Sequence, residues 1–305
     1  MALEVDARRG HSPDTTVHRG DCPEALQGSE IRGLDALQIG SSTPPLAHAA
    51  WRAAWPKLAA LAIALGLWEL VAISGWRASY VLPGPVPVWV ELGHQLVTQN
   101  FWLAVGITMT RGVVGFLIAA ALGLVVGVLV ARSRLLRAAI GSLITGLQTM
   151  PSIAWFPLAI LLFQMSEQAI LFVILIGAVP SIANGVIGGV DYVPALLVRA
   201  GRNLGASGLS LYRHVVLPAA LPSIMAGLKQ GWAFAWRSLL AGELMVSIAN
   251  RPSLGQYLNQ SRELGDTSYM IALMIAILVI GIGVDAVFSR IERGIRRRRG
   301  VVVSG

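Results

Sequence analysis

Residues 103–131 read LAVGITMTRGVVGFLIAAALGLVVGVLVA, an apolar run interrupted by one charge, Arg111. About 20 residues of helix cross the ~30 Å of a bilayer's hydrocarbon, so this run is long enough to span it. Working outward, further runs of the same kind extend over Leu58 to Ser74, Ala139 to Phe163, Gln168 to Val190, Pro218 to Val246 and Tyr269 to Arg290. The whole chain is 55% hydrophobic and 13% charged, with a mean hydropathy of +0.66, more apolar side chain than the core of a soluble domain can use. The expected fold is therefore all-α, a polytopic membrane protein with about six transmembrane helices.

The net charge of +8 raises the question of nucleic acid. Its basic residues, however, cluster at the ends of apolar runs and form no aromatic-interleaved face, so no nucleic-acid partner is expected. Arg132, Arg134 and Arg137, then Arg199, Arg202 and Arg213, then Arg290, Arg293 and Arg296 to Arg299 fall on alternate connections, whereas the others hold only Arg77, Arg251 and Arg262. Basic loops stay inside, which places both termini in the cytoplasm of an inner-membrane protein. Residues 1–50 read as a disordered cytoplasmic tail without a cleavable signal, and their Cys22, the sole cysteine, excludes an internal disulfide. Residues 292–305 read as a basic cytoplasmic tail held by anionic lipid.

Between the first two spans, Pro83, Pro85 and Pro87 are expected to forbid an early helix, with a short amphipathic helix on the outer interface built from Trp89, Leu92, Leu96 and Val97. Small residues recur every fourth position at Gly115, Ala119, Gly123 and Gly127, and again at Gly177, Ser181, Gly185 and Gly189. Such stripes let helices approach closely in lipid, either within one subunit or at a dimer seam. In the third span Pro151 and Pro157 each remove a backbone donor, which predicts a kink or unwound turn there, structural or part of a gate.

The stretch Asp191 to Ser223, DYVPALLVRAGRNLGASGLSLYRHVVLPAALPS, is too polar to span. Leu196, Leu197, Ala200 and Leu204 before Gly205, and Leu209, Leu211 and Tyr212 after it, predict two short helices joined at a glycine turn. Pattern alone leaves two readings, a docking element for a soluble partner or an amphipathic loop lying on the bilayer. Gly205, nine residues, then Val215, Val216, Leu217 and Pro218 resembles the E-A-A loop of binding-protein-dependent ABC importer permeases, with Arg199, Ala200 and Gly201 at the E-A-A positions and the usual charge reversed. Thr108 with Arg111 and Gly115, PSIAWFPLAILLF from Pro151, LPAALPSIMAGLKQGWAFAW from Leu217, and Glu243 resemble the nitrate, sulfonate, taurine and bicarbonate subgroup.

The resemblance implies a type I importer permease. Residues 51–102 would hold the first span and the outer segment, and residues 103–291 the transmembrane domain, with a coupling loop at 191–218. It also implies that Arg199, Ala200, Gly201, Gly205, Leu217 and Pro218 serve the coupling to two ATPase subunits, that a second permease copy completes the pathway, and that an extracytoplasmic solute-binding protein delivers the ligand. The chain is expected to be no enzyme and to bind no cofactor: its only lysines, Lys57 and Lys229, lack the following hydroxyl residue of a phosphate loop, so ATP and Mg belong to the partner.

Charges at membrane depth mark a pathway or a paired structural site, and here they are Arg111, Lys229, Arg237 and Glu243. Arg111 has the alternative of snorkelling to the interface. Lys229, Ala233, Trp236 and Arg237 fall near one helix face that would attract an anion, and the resemblance implies a small oxyanion such as a sulfonate, taurine or nitrate. Arg237 and Glu243, six positions apart, do not share a face. His11, His18, His48, His94 and His214 lie outside the spans and argue against a membrane enzyme. The remaining alternative, an ion-gradient-driven secondary transporter, would show inverted repeats, and no convincing repeat is visible.

Overall fold

The computed structural model describes residues 46–298, and among them every regular element is helical. By internal contacts the chain divides into two units, 1–63 and 64–305. The first unit holds the opening part of helix α1 (Leu46–Ile73), whose most apolar stretch, Ala54–Ile73, buries nothing and so suits lipid. The expectations for residues 1–45, with Cys22, His11 and His18, and for Arg299 onward lie outside the described residues.

The second unit holds the remaining elements. Helix α2 (Pro85–Leu96) starts at the prolines that were expected to exclude it. Its first-turn amides would have no partner within the helix in any case, so Pro85 and Pro87 cost no hydrogen bond, and the fixed φ of proline suits a helix start. Helix α3 (Gln99–Arg132) ends at Ser133, whose N–H donates to the Leu129 carbonyl at 3.1 Å. The Ser133 hydroxyl accepts from the Leu136 N–H and caps α4 (Arg134–Thr149).

The third span is not one helix. Helix α4 stops at Met150, a 3-10 turn covers Ser152–Trp155, and α5 (Phe156–Phe163) leaves at 103° to α4. The break belongs to Pro151, which precedes the 3-10 turn. Pro157 lies in the first turn of α5, where a missing N–H is harmless, so it causes no kink of its own.

Helix α6 (Glu167–Asp191) leads into α7 (Ala195–Asn203) and then α8 (Gly208–Leu211). A π-helical turn over Tyr212–Val216 runs directly into α9 (Leu217–Met245). Helices α10 (Leu254–Leu264) and α11 (Thr267–Arg298) complete the unit, α11 continuing well past the expected end at Arg290 and into the expected tail. Among the described residues, five continuous helices are long and apolar enough to span, and six if the bent α4 and α5 pair crosses as one broken span.

Helix α6 is the central one, with 56% of its most apolar window buried against 33% for α3 and 17% for α11. Both small-residue stripes are spent inside the chain. A Cβ on Gly123 would fall 2.7 Å from the Ile182 Cβ and one on Gly127 2.6 Å from the Val186 Cβ, so α3 lies on α6 at backbone distance. On another face of α6, Gly177 meets Ser238 and Gly189 meets Ala220 and Ser223, which brings in α9. Close approach maximises dispersion contact where lipid supplies no hydrophobic drive.

Candidate functional site

Arg111, on α3, does not snorkel. Its side chain is 9% exposed and forks onto Glu167, donating from Nε at 2.8 Å and Nη2 at 2.7 Å. Its Nη1 donates to Glu243 Oε1 at 3.0 Å. Glu243, fully buried near the end of α9, also accepts at Oε2 from the Thr108 hydroxyl at 2.9 Å and the Gly255 amide at 3.2 Å. Thr108 in turn accepts from the Leu254 amide at 3.0 Å, and Arg251 approaches Glu167 at 3.4 Å. Two arginines and two glutamates make a neutral cluster, the condition under which charge persists in a low-dielectric interior. The cluster ties α3, α6, α9 and α10 together at one end of the unit.

Lys229, near the middle of α9, is also paired: its Nζ donates to Ser289 Oγ at 2.8 Å and lies 3.3 Å from Asp285 Oδ1, both on α11. Beside this pair a cleft of about 630 Å³ opens between α9 and α11, lined by Ala233, Trp236, Arg237, Leu240, Ile277 and Asp285 among others. Trp232 and Trp236 stack on its wall, centroids 6.1 Å apart.

Arg237 differs from these. It is exposed, its guanidinium rests 5.5 Å from the Phe234 ring, and among the described residues no carboxylate reaches it. It lies eight positions before the end of α9 at Met245, about 12 Å along the helix at 1.5 Å per residue. Gln230, two helical turns away on the same face, is exposed as well. A guanidinium and a carboxamide on one exposed face do not suit hydrocarbon, so this face suits water or another chain.

At the opposite end of the unit, α7 ends in a Schellman motif: Gly205, at φ +84°, donates to the Arg202 carbonyl at 2.9 Å, and Ala206 donates to that of Gly201 at 3.0 Å. Gly201 is buried because a Cβ there would lie 2.9 Å from Leu211 and Val215, which folds α7 back onto α8 and the π-helical turn. The outward surface carries Arg199 and Arg202 among exposed Leu196, Leu204 and Leu209, the last three 75%, 88% and 69% exposed. Leu217 and Pro218 begin α9, so loop and span are one continuous rod from Gly208 to Met245.

The profile of the binding-protein-dependent transport system inner membrane component family matches residues 119–297, more than half of the chain. The chain belongs to that family. The permease is 33% identical over 240 residues to a protein of Methanocaldococcus jannaschii provisionally named an ABC transporter permease, with 77% of this chain and 89% of the relative covered. It is 30% identical over 243 residues to the bicarbonate transport system permease protein of Synechococcus elongatus, covering 76% and 85%. A Bacillus subtilis relative provisionally named an aliphatic sulfonates transport permease protein is 28% identical over 238 residues, covering 78% and 85%. In fold the permease is similar to an inward-facing MetNI methionine ABC transporter chain, with a TM-score of 0.53 at 22% identity over 64% of this chain and 96% of that one. The molecule is thus a multi-pass, type I ABC importer permease subunit of the inner membrane.

In the permease, the five charged or aromatic positions singled out in the sequence separate into three groups. Arg111 and Glu243 lie in the buried cluster, Lys229 and Trp236 face α11, and Arg237 is the one cation of these five that no carboxylate among the described residues reaches. Sequence reading missed Glu167, Asp285 and Gln230, and it named Thr108 only for the resemblance, without a partner. Asp285 carried a usable signal, since it is an acidic residue inside an apolar run. Glu167 carried none, because a glutamate just before a span looks like an ordinary interfacial residue.

Proposed function

We propose that this permease forms half of the pathway for a small oxyanion of the sulfonate, nitrate or bicarbonate type. The observation that carries this reading is Arg237, an exposed cation at membrane depth without a carboxylate partner among the described residues. An anion passing along the α9 face would find its charge complemented there, and Gln230 would offer amide donors about 10 Å deeper. The names of the relatives, for sulfonates and for bicarbonate, are consistent with an anion.

In this proposal the chain pairs with a second copy. A solute-binding protein delivers ligand at the Glu167 and Glu243 end, and two ATPase chains, which bind the ATP and Mg, dock on the loop 191–218 with both termini on their side of the membrane. The exposed leucines and arginines of that loop give the docking surface, and Arg199 presents a positive charge to the ATPase. ATP binding then biases the permease between two packings that open to opposite sides.

The test is uptake and ATP hydrolysis in proteoliposomes holding the permease with its ATPase, with the binding protein added alone or with alkanesulfonate, taurine, nitrate or bicarbonate. One ligand should stimulate hydrolysis, and Arg237→Gln should reduce its uptake at least tenfold while Arg237→Lys retains part of it. Uptake of the stimulating ligand that is indifferent to Arg237→Gln would refute the assigned role of the cation.

A further inference from the structure

We propose that Glu243 is a positioning residue for solute admission: its carboxylate, held by Arg111, seats helix α10 and with it one wall of a polar vestibule. The argument starts at the first turn of α10, whose amides have no partners within the helix. The Leu254 N–H donates to Thr108 Oγ1, the Gly255 N–H to Glu243 Oε2 and the Gln256 N–H to Ser253 Oγ at 3.3 Å. Two of the three caps thus come from other helices, one of them a carboxylate at the positive end of the helix dipole.

The seat is also steric. A Cβ on Gly255 would collide with the Cβ of Glu243, so only glycine lets the turn approach the carboxylate this closely. Glu243 has no freedom to turn away, because it is fully buried and Arg111 holds its other oxygen.

What the seat positions is a polar helix face. Gln256, Asn259, Gln260 and Glu263, at helical spacing on α10, line a cavity of about 500 Å³ together with Ser247 and Met165. The face is ordered by its own bonds, Gln256 Nε2 donating to Ser247 Oγ at 2.9 Å and Asn259 Nδ2 to Glu263 Oε1 at 2.7 Å. A carboxamide wall next to a membrane-embedded pathway suits a hydrated polar solute at the point where it exchanges water for protein. The inference rests on the permease reading and is independent of which solute is carried.

The deciding experiment is amide hydrogen exchange combined with transport kinetics on the reconstituted complex. Glu243→Gln should speed exchange at Leu254 and Gly255 at least tenfold, leave the middle of α6 unchanged, and raise the half-saturating concentration of loaded binding protein at least fivefold, with the maximal rate within twofold. Thr108→Val, which removes one cap and leaves the ion pairs intact, should give the same pattern at smaller size and decides the matter if Glu243→Gln fails to fold. Unchanged exchange at Leu254 and Gly255, or loosening of α6 and α10 to the same degree with the maximal rate lost, would overturn the proposal.

Discussion

Gly185 on α6 and Gly227 on α9 meet backbone to backbone: a Cβ built on Gly185 falls 2.5 Å from the Gly227 Cα, and one on Gly227 falls 2.7 Å from the Gly185 Cα. Neither position has a side chain that can yield, so any larger residue must move a helix. Gly185→Val should lower the stability of the detergent-solubilised permease by about 1–3 kcal/mol, the usual cost of overpacking. Gly188→Val, three residues along the same helix with open space around its Cα, is the control and should shift the thermal midpoint little.

The buried cluster predicts an asymmetry between loss of its shared cation and loss of its more exposed glutamate. Arg111→Met leaves Glu243 fully buried without its counter-charge, and breaking a buried pair on one side costs about 3–5 kcal/mol. Glu167→Gln removes a carboxylate whose side chain is 36% exposed, and Arg111 keeps Glu243. Thermal midpoints should therefore fall steeply for Arg111→Met and mildly for Glu167→Gln, and equal losses would mean that burial does not rank the two.

Lys229 supplies a functional contrast. Its ammonium is already matched by Asp285 and Ser289, so it offers an incoming anion much less than Arg237 does. The Asp285 side chain is 56% exposed, and a double-mutant cycle over Lys229→Met and Asp285→Leu should give a coupling energy below about 1 kcal/mol. Uptake should survive in the double variant and fail in Arg237→Gln, whereas the reverse ranking would move the anion site to Lys229.

The membrane spans were legible in the sequence because hydrocarbon thickness imposes a length and apolarity that few other constraints mimic, as the run around Gly115 to Gly127 illustrates. The loop at Gly205 was legible because a left-handed turn demands glycine at one position and leaves apolar spacing on both sides. The start of α2 was misjudged because proline's effect depends on where a helix begins, and two prolines in a first turn are permitted. Which residues pair with Arg111, Lys229 and Glu243 was not legible, even where a partner such as Asp285 stood out in its run. They are set by the rotation of whole helices about one another, which places Glu167 and Asp285 more than fifty residues from the cations they neutralise.

The last prediction concerns the loop. At φ +84° and exposed, with nothing near its Cα, Gly205 serves the turn and not the packing. A β-branched residue pays about 1–2 kcal/mol to enter this conformation, whereas asparagine tolerates it. Since the loop and α9 form one rod from Gly208 onward, a displaced turn should reposition α7 without disturbing the spans. Gly205→Val should therefore insert and melt only modestly earlier, yet lose most ATP-driven uptake and the stimulation of hydrolysis by loaded binding protein. Gly205→Asn should restore much of both. Full coupling in Gly205→Val would show that the turn does not carry the signal between ATPase and pathway.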